Sequence, residues 1–160
     1  MDKKTIEEKC VELLLAKGLT LTTSESCTGG LVASRIVDVA GASGTLMQGF
    51  VTYSNEAKET YLGVKHETLE EFGAVSSETA EEMALGCVFK AGTDVGIATT
   101  GIAGPGGGSP QKPVGLVYIA CCIKPEVKVR ELRLSGSRRE IRNQAANAVL
   151  ELLFEMLSGD

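Results

Sequence analysis

The chain has 160 residues, of which 43% are hydrophobic and 23% are charged, and its formal net charge is −5. This length favours a single domain over residues 1–160, and the composition argues against disorder. The acidic balance argues against nucleic-acid binding, and no apolar run reaches the roughly 20 residues that span a bilayer. Because no signal peptide is apparent, we expect a cytoplasmic protein that binds no membrane.

The first half of the chain alternates helical and extended patterns. Apolar residues at helical spacing predict a first helix that ends before Gly18, and a later short helix follows a cap at Ser54 or Asn55. The expected order is helix, strand, helix, strand and helix. Their expected positions are 6–17, 19–23, 28–37, 45–53 and 55–62.

The second half contains two helices, three strands, a loop rich in glycine and proline, and a last long helix. Their expected positions are 66–72, 77–90, 94–100, 101–113 for the loop, 114–123, 127–134 and onward from 138. The Lys124-Pro125-Glu126 segment predicts an antiparallel hairpin between the last two strands. This order predicts an α/β fold, a three-layer α/β/α sandwich with a mixed sheet.

The cysteine and histidine content limits the chemistry. The five cysteines form no C-x-x-C pair, and His66 is the single histidine. These features argue against a disulfide framework, a zinc site and a Ser-His-Asp triad. We expect no metal and no cofactor, and a nucleophile here needs a base other than histidine or must rely on His66 alone.

The segment Thr22–Gly30 joins a predicted strand to a predicted helix through small polar residues. Backbone N–H groups at a helix start favour a phosphate or a developing oxyanion. Ser26 could be a nucleophile held close to those donors, with Cys27 as a competitor. The plainer interpretation is that Ser24, Ser26 or Thr28 caps the helix.

A second candidate segment runs from Thr52 to Lys58. If Ser54 caps the helix, Lys58 lies one turn in, close to Tyr53. A serine nucleophile needs a proton acceptor, and a lysine whose pKa is lowered by burial can serve, directly or through a tyrosine hydroxyl. The alternative is an exposed helix lysine and a packed aromatic ring.

A third candidate segment is the loop Thr99–Pro110, which follows an apolar strand. Its glycines allow a ligand to approach the backbone closely. It lacks the Gly-Lys-Ser/Thr of a phosphate-binding P-loop and the G-x-G-x-x-G spacing, and a strand follows it, which excludes a dinucleotide fingerprint. A flexible surface loop is the plainer alternative.

Arg138 and Arg142 lie four residues apart at the start of the last helix. They share one helix face, so both could hold one phosphate or carboxylate. Two arginines near a helix N-terminus oppose the helix dipole, which favours a bound anion. A solvated basic face is the alternative.

Together these segments resemble the CinA C-terminal domain family, the nicotinamide-nucleotide amidases of the PncC type. The resemblance follows the family order over nearly the whole chain, which starts directly with this domain and so resembles the standalone form. The matching stretches are SESCTGG (24–30), GFVTYSNEAK (49–58), GAVS (73–76), TGIAGPGG (100–107), KPVGLVY (112–118) and RREIR (138–142).

The resemblance implies hydrolysis of the carboxamide of nicotinamide mononucleotide to nicotinic acid mononucleotide and ammonia. The family's serine nucleophile falls on Ser26, its tyrosine on Tyr53 and its general-base lysine on Lys58. Ser137 stands where the family often has an acidic residue, which could alter the orientation of Arg138.

The resemblance also implies a substrate-binding set. The family's threonine falls on Thr100, and its anion-binding arginine falls on Arg138 or Arg142. Backbone N–H groups near Thr28 to Gly30 are candidates for the oxyanion site. The full expected set is Thr28, Gly29, Gly30, Thr100, Gly101, Gly104, Gly106, Gly107, Arg138 and Arg142.

Two alternatives stay open at this point. One is a non-catalytic nucleotide-binding or regulatory module, which the glycine-rich loop and the arginine pair favour. The other is an amidase that acts on a different small amide. For the main interpretation we expect a small-molecule nucleotide substrate and no nucleic acid as partner, and the resemblance implies a homo-oligomer.

Overall fold

The computed structural model describes residues 3–159. It contains one five-stranded mixed sheet in the order β2-β1-β3-β4-β5. The strands β1, β2 and β3 are parallel, whereas β4 runs antiparallel to β3 and β5 runs antiparallel to β4. The strands are β1 Leu21–Glu25, β2 Leu46–Val51, β3 Val95–Gly101, β4 Leu116–Ile123 and β5 Glu126–Arg133.

Six α-helices within residues 3–159 cover the two faces of the sheet, which confirms the predicted three-layer α/β/α sandwich. Helices α1, α2 and α6 pack on one face, and α5 packs on the other with α3 and α4 against it. The helices are α1 Ile6–Lys17, α2 Leu31–Val37, α3 Asn55–Leu62, α4 His66–Phe72, α5 Ser77–Ala91 and α6 Arg138–Leu157. None of these helices, within residues 3–159, is both long and apolar enough to cross a membrane.

The ends of the helices follow from local chemistry. The Ser54 hydroxyl accepts a hydrogen bond from the amide of Ala57 and so begins α3, and Gly63 ends that helix in the left-handed conformation. Ser137 and Glu140 form a reciprocal capping box at the start of α6. Ser137 therefore fixes the helix start from which Arg138 projects.

The largest departure from the predicted elements lies after β1. This strand ends at Glu25, and α2 begins only at Leu31, three residues later than predicted. The intervening turn contains Gly29 and Gly30 at φ values of +57° and +101°, which L side chains rarely adopt. The predicted strand over 45–53 is also shorter, because residues 52 and 53 leave the sheet.

The connections between the parallel strands determine where in the sheet a ligand site is expected. The crossover after β1 runs through α2 on one face, whereas the crossover after β2 runs through α3, α4 and α5 on the other face. The carboxyl end of β1 is therefore a topological switch point, where α/β sheets commonly bind ligands.

Candidate active site

A cavity of about 270 Å³ lies at the carboxyl ends of β1, β2 and β3. It brings together nine residues predicted from the sequence: Ser26, Tyr53, Lys58, Thr100, Gly101, Gly104, Gly106, Gly107 and Arg138. Ala74, Val75, Ile102 and Ala103 also line it and had not been predicted, because small apolar residues carry no chemical signal in a sequence. These four residues give the cavity a partly apolar wall.

Ser26 and Lys58 make the central contact of this cavity. Nζ of Lys58 lies 3.0 Å from Oγ of Ser26 and also donates a hydrogen bond of 2.8 Å to the carbonyl of Thr52. The Lys58 side chain is buried, with 1% of the residue exposed. The structure therefore places an amine within proton-transfer distance of a hydroxyl.

The burial of Lys58 changes its acidity. Removal from water disfavours the charged ammonium and lowers the pKa of Lys58 from 10.5 to about 8. At pH 7 a group with this pKa is neutral in about one molecule in ten, against fewer than about one in a thousand for an ordinary lysine. A usable fraction of Lys58 can thus accept a proton near neutral pH.

Cys27, the other candidate nucleophile, also borders the cavity. Burial raises the pKa of its thiol to about 11, so the thiol stays protonated at neutral pH. The thiolate is the reactive form of cysteine, and here it is disfavoured. Ser26 is therefore the better supported nucleophile of the two.

Tyr53 lies at the rim of the cavity and is 63% exposed. Its hydroxyl accepts a hydrogen bond of 3.1 Å from Nη2 of Arg138, whose Nη1 donates 2.8 Å to the carbonyl of Gly104. Because Lys58 reaches Ser26 directly, the contact does not need Tyr53 as a relay. Arg138 and Tyr53 instead form a joint polar rim.

Arg142 does not accompany Arg138 at the cavity. Its Nε and Nη2 donate hydrogen bonds of 3.0 and 2.9 Å to the carbonyls of Cys27 and Thr28. The spacing correctly placed both arginines on one helix face, but that face spans both the cavity rim and the outside of the Ser26 turn. The expectation that the two arginines hold one anion together is therefore corrected.

The turn residues Thr28, Gly29 and Gly30 also do not line the cavity. The amide of Gly29 donates to the carbonyl of Ser26 at 3.1 Å, and the amide of Ser26 donates to the carbonyl of Thr99. Cys27 is the turn residue after Ser26 that borders the cavity. The three residues expected near the oxyanion site therefore lie outside the lining of the cavity.

Glu25 is a buried residue at this site whose role had not been predicted, although it belongs to the SESCTGG stretch. Only 1% of it is exposed, and its carboxylate accepts hydrogen bonds from the Thr28 hydroxyl at 2.6 Å and from the amides of Val32 and Ala33. It therefore caps α2 from the preceding strand, where a negative charge also suits the helix dipole. An acidic residue directly before the turn of small polar residues is the signal that could have revealed it.

The glycine-rich loop closes one side of the cavity and is packed. A side chain at Gly104 would meet the Val114 side chain at 2.4 Å, and Gly104 has φ +77°. Lys112 donates to the carbonyl of Phe72, and the Thr100 hydroxyl donates to the carbonyl of Ala74 at 2.8 Å. The loop is thus tied to the segment between α4 and α5.

The cavity offers no evident ligands for a metal. Among residues 3–159, no three histidine, cysteine, aspartate or glutamate side chains gather to hold an ion. His66 is exposed and pairs with Glu59 and Glu70 at α3 and α4. It is therefore not the base of this cavity.

Comparison with known proteins shows the family of this chain. A family model described as the CinA C-terminal domain matches residues 3–157. The chain belongs to the CinA C-terminal domain family.

Individual relatives share this similarity. A CinA-like protein from Kosmotoga olearia is 56% identical over 151 residues, which cover 94% of this chain and 37% of that protein. The chain thus spans a little over a third of the length of this curated relative. A crystal structure of the competence/damage inducible protein CihA from Agrobacterium tumefaciens has a TM-score of 0.92 at 43% identity and covers 99% of this chain and 98% of that chain.

A second solved structure is equally similar in fold. The crystal structure of a competence-damaged protein (CinA) superfamily protein from Klebsiella pneumoniae has a TM-score of 0.93 at 35% identity, covering 97% of both chains. The overall fold described above is therefore shared by these relatives.

Proposed function

We propose that this cavity hydrolyses a carboxamide, with nicotinamide mononucleotide, the substrate that the resemblance implies, as the first candidate. The observation that carries the proposal is the 3.0 Å contact between Oγ of Ser26 and Nζ of the buried Lys58. A hydroxyl next to an amine of lowered pKa is an activated nucleophile.

The first half of the proposed reaction forms an ester on Ser26. Neutral Lys58 takes the hydroxyl proton while Oγ attacks the carboxamide carbon, and the carbonyl oxygen becomes an oxyanion that the amide of Cys27 can stabilise. The C–N bond then breaks, and Lys58 returns the proton to the leaving nitrogen, which departs as ammonia.

The second half releases the acid. Water attacks the ester carbon, Lys58 accepts a proton from that water, and the tetrahedral intermediate collapses with loss of Oγ. Lys58 then returns the proton to Ser26, so the enzyme is regenerated and the products are a carboxylic acid and ammonia, which ionise in water to carboxylate and ammonium. Each step uses residues that already lie in the cavity.

The charge at the cavity rim suits an anionic substrate. Arg138 lies at the rim with its guanidinium beside Tyr53, and a guanidinium binds phosphate through paired hydrogen bonds. The glycine-rich loop presents backbone on the same side. A nucleotide whose carboxamide reaches Ser26 would thus set its phosphate toward Arg138.

Ammonia release from nicotinamide mononucleotide tests the proposal. Wild-type protein should release ammonia, and Ser26→Ala should lower kcat by at least about 10³-fold, because it removes the nucleophile. Ser24→Ala is the matched control, since Ser24 is buried in β1, donates to the carbonyl of Ile97 and does not line the cavity.

The outcomes separate the alternatives. Full turnover by Ser26→Ala would contradict the assigned nucleophile. Thermal stabilisation of the wild type by the nucleotide without ammonia release would favour a binding module instead. Release of ammonia from other small amides but not from the mononucleotide would keep the chemistry and change the substrate.

A further inference from the structure

We propose that Arg142 is a positioning residue that orients the peptide groups of the Ser26 turn, and that it does not bind the substrate anion. This inference rests on the proposed function, because it assigns the oxyanion donor of that reaction. It starts from the two hydrogen bonds that Arg142 gives to the carbonyls of Cys27 and Thr28.

The placement of Arg142 is specific to a guanidinium. Nε and Nη2 reach two successive carbonyls at 3.0 and 2.9 Å, a fork that the single ammonium of lysine cannot reproduce. Gly29 lies beside this guanidinium at φ +57°, a backbone conformation that L side chains rarely adopt. Buried Ile141 and Ala145 on either side of Arg142 along α6 hold the helix against the core.

The two carbonyls are connected to the cavity through planar peptide groups. In a trans peptide the C=O and the next N–H point in opposite directions. Holding the carbonyl of Thr28 therefore directs the amide of Gly29 away from Arg142, and that amide donates to the carbonyl of Ser26. The Ser26 carbonyl and the Cys27 amide belong to one peptide group. The hydrogen bond that holds this carbonyl therefore also orients the Cys27 amide, which points the opposite way.

This path through two peptide groups ends at the cavity, since Cys27 borders it. Arg142 thus acts on the proposed oxyanion donor without touching substrate. Glu25 anchors the same turn from the other side through the Thr28 hydroxyl at 2.6 Å. With both anchors in place, the donor is oriented before substrate binds, which is the condition under which such donors stabilise a transition state most.

Substitutions at Arg142 and at Arg138 should change different kinetic constants, and this difference tests the inference. Arg142→Gln and Arg142→Lys should each lower kcat for ammonia release by about 10- to 100-fold with KM within about twofold, because only transition-state stabilisation is lost. Arg138→Gln is the matched control and should raise KM. A raised KM with unchanged kcat in Arg142→Gln would overturn the positioning role.

A second measurement does not depend on the natural substrate. Labelling of Ser26 by a fluorophosphonate, followed by intact mass, should be at least about tenfold slower in Arg142→Gln than in wild type, because the phosphonyl oxygen uses the same donor. Labelling at the wild-type rate would overturn the inference. If circular dichroism shows that Arg142→Gln does not fold, the labelling rate of Arg142→Lys is compared with that of the wild type instead.

The two measurements separate the inference from the proposed function. If wild-type Ser26 is labelled but no ammonia is released from the mononucleotide, the substrate assignment fails and the labelling rates alone decide the role of Arg142. If wild-type Ser26 is not labelled at all, both the nucleophile and the positioning role are contradicted.

Discussion

The parallel and antiparallel halves of the sheet make unequal contributions to the site. The segments that follow β1 and β2 bring Ser26 and Lys58 to one cavity, and the end of β3 brings Thr100 to it. The hairpin of β4 and β5 supplies no residue to the lining of that cavity. Parallel strands collect their carboxyl ends at one edge of the sheet, whereas a hairpin sends neighbouring ends to opposite edges.

The hairpin instead supplies core and protects the edge of the sheet. Ile119 and Ala120 of β4 are fully buried and belong to the clusters on the two faces. The outer strand β5 carries Lys128, Arg130 and Arg133, and charged residues discourage an edge strand from pairing with another chain. The cavity thus draws on the parallel half and not on the hairpin, whose contribution is to stability, and the following predictions test that division.

The largest expected effect comes from Lys58→Met in the parallel half. It should lower kcat for ammonia release by at least about 10³-fold, because the proton acceptor of Ser26 is removed while the buried volume is roughly kept. Steady-state kinetics measure the loss, and circular dichroism checks the fold. Turnover within tenfold of the wild type would assign the base elsewhere.

The next effect is a pH dependence of the same reaction. Because only neutral Lys58 accepts a proton and its pKa is about 8, kcat/KM should rise about tenfold per pH unit below pH 8 and level off above it. A profile measured from pH 6 to 9.5 gives the midpoint. A profile that is flat across this range would contradict a lysine base.

Lys58 should also leave a signature in stability. Its pKa is lowered from 10.5 to about 8 on folding, so between these values the unfolded chain binds more protons than the folded one. The free energy of unfolding of the wild type, minus that of Lys58→Met, should therefore rise with pH across this window, by up to about 3 kcal/mol. Urea unfolding of both proteins at pH 7.5 and 10 measures this difference, and parallel pH dependences would contradict the buried amine.

The smallest effect is expected from the hairpin. Ile119→Val deletes one buried methylene group and should lower the free energy of unfolding by about 1 kcal/mol. Its kcat and KM should equal those of the wild type, since β4 does not line the cavity. A clear change in kcat would show that the two halves are coupled.

Much of this architecture could be predicted from the sequence. Helix α4 lies where predicted, at His66–Phe72, and the chemistry-bearing residues Ser26, Tyr53 and Lys58 border one cavity as the resemblance implied. Capping residues and hydrophobic periodicity are local signals, and local signals determine where elements begin and end.

The features that could not be predicted depend on three-dimensional packing. Helical periodicity does not distinguish a buried Lys58 from an exposed one. Only the packing of α3 shows that this side chain is buried. The spacing of Arg138 and Arg142 gave their shared face but not the two different surfaces that this face meets. The delayed start of α2 depends on Glu25, which caps that helix from the preceding strand.

The central claim is that an ester forms on Ser26, and mass spectrometry of the enzyme quenched in acid during turnover tests it most directly. The tryptic peptide 18–35 contains both Ser26 and its neighbour Cys27. We expect this peptide to gain the mass of the nicotinic acid mononucleotide acyl group, and fragmentation should place the added mass on Ser26. Ammonia release without any such adduct, or an adduct on Cys27, would contradict it.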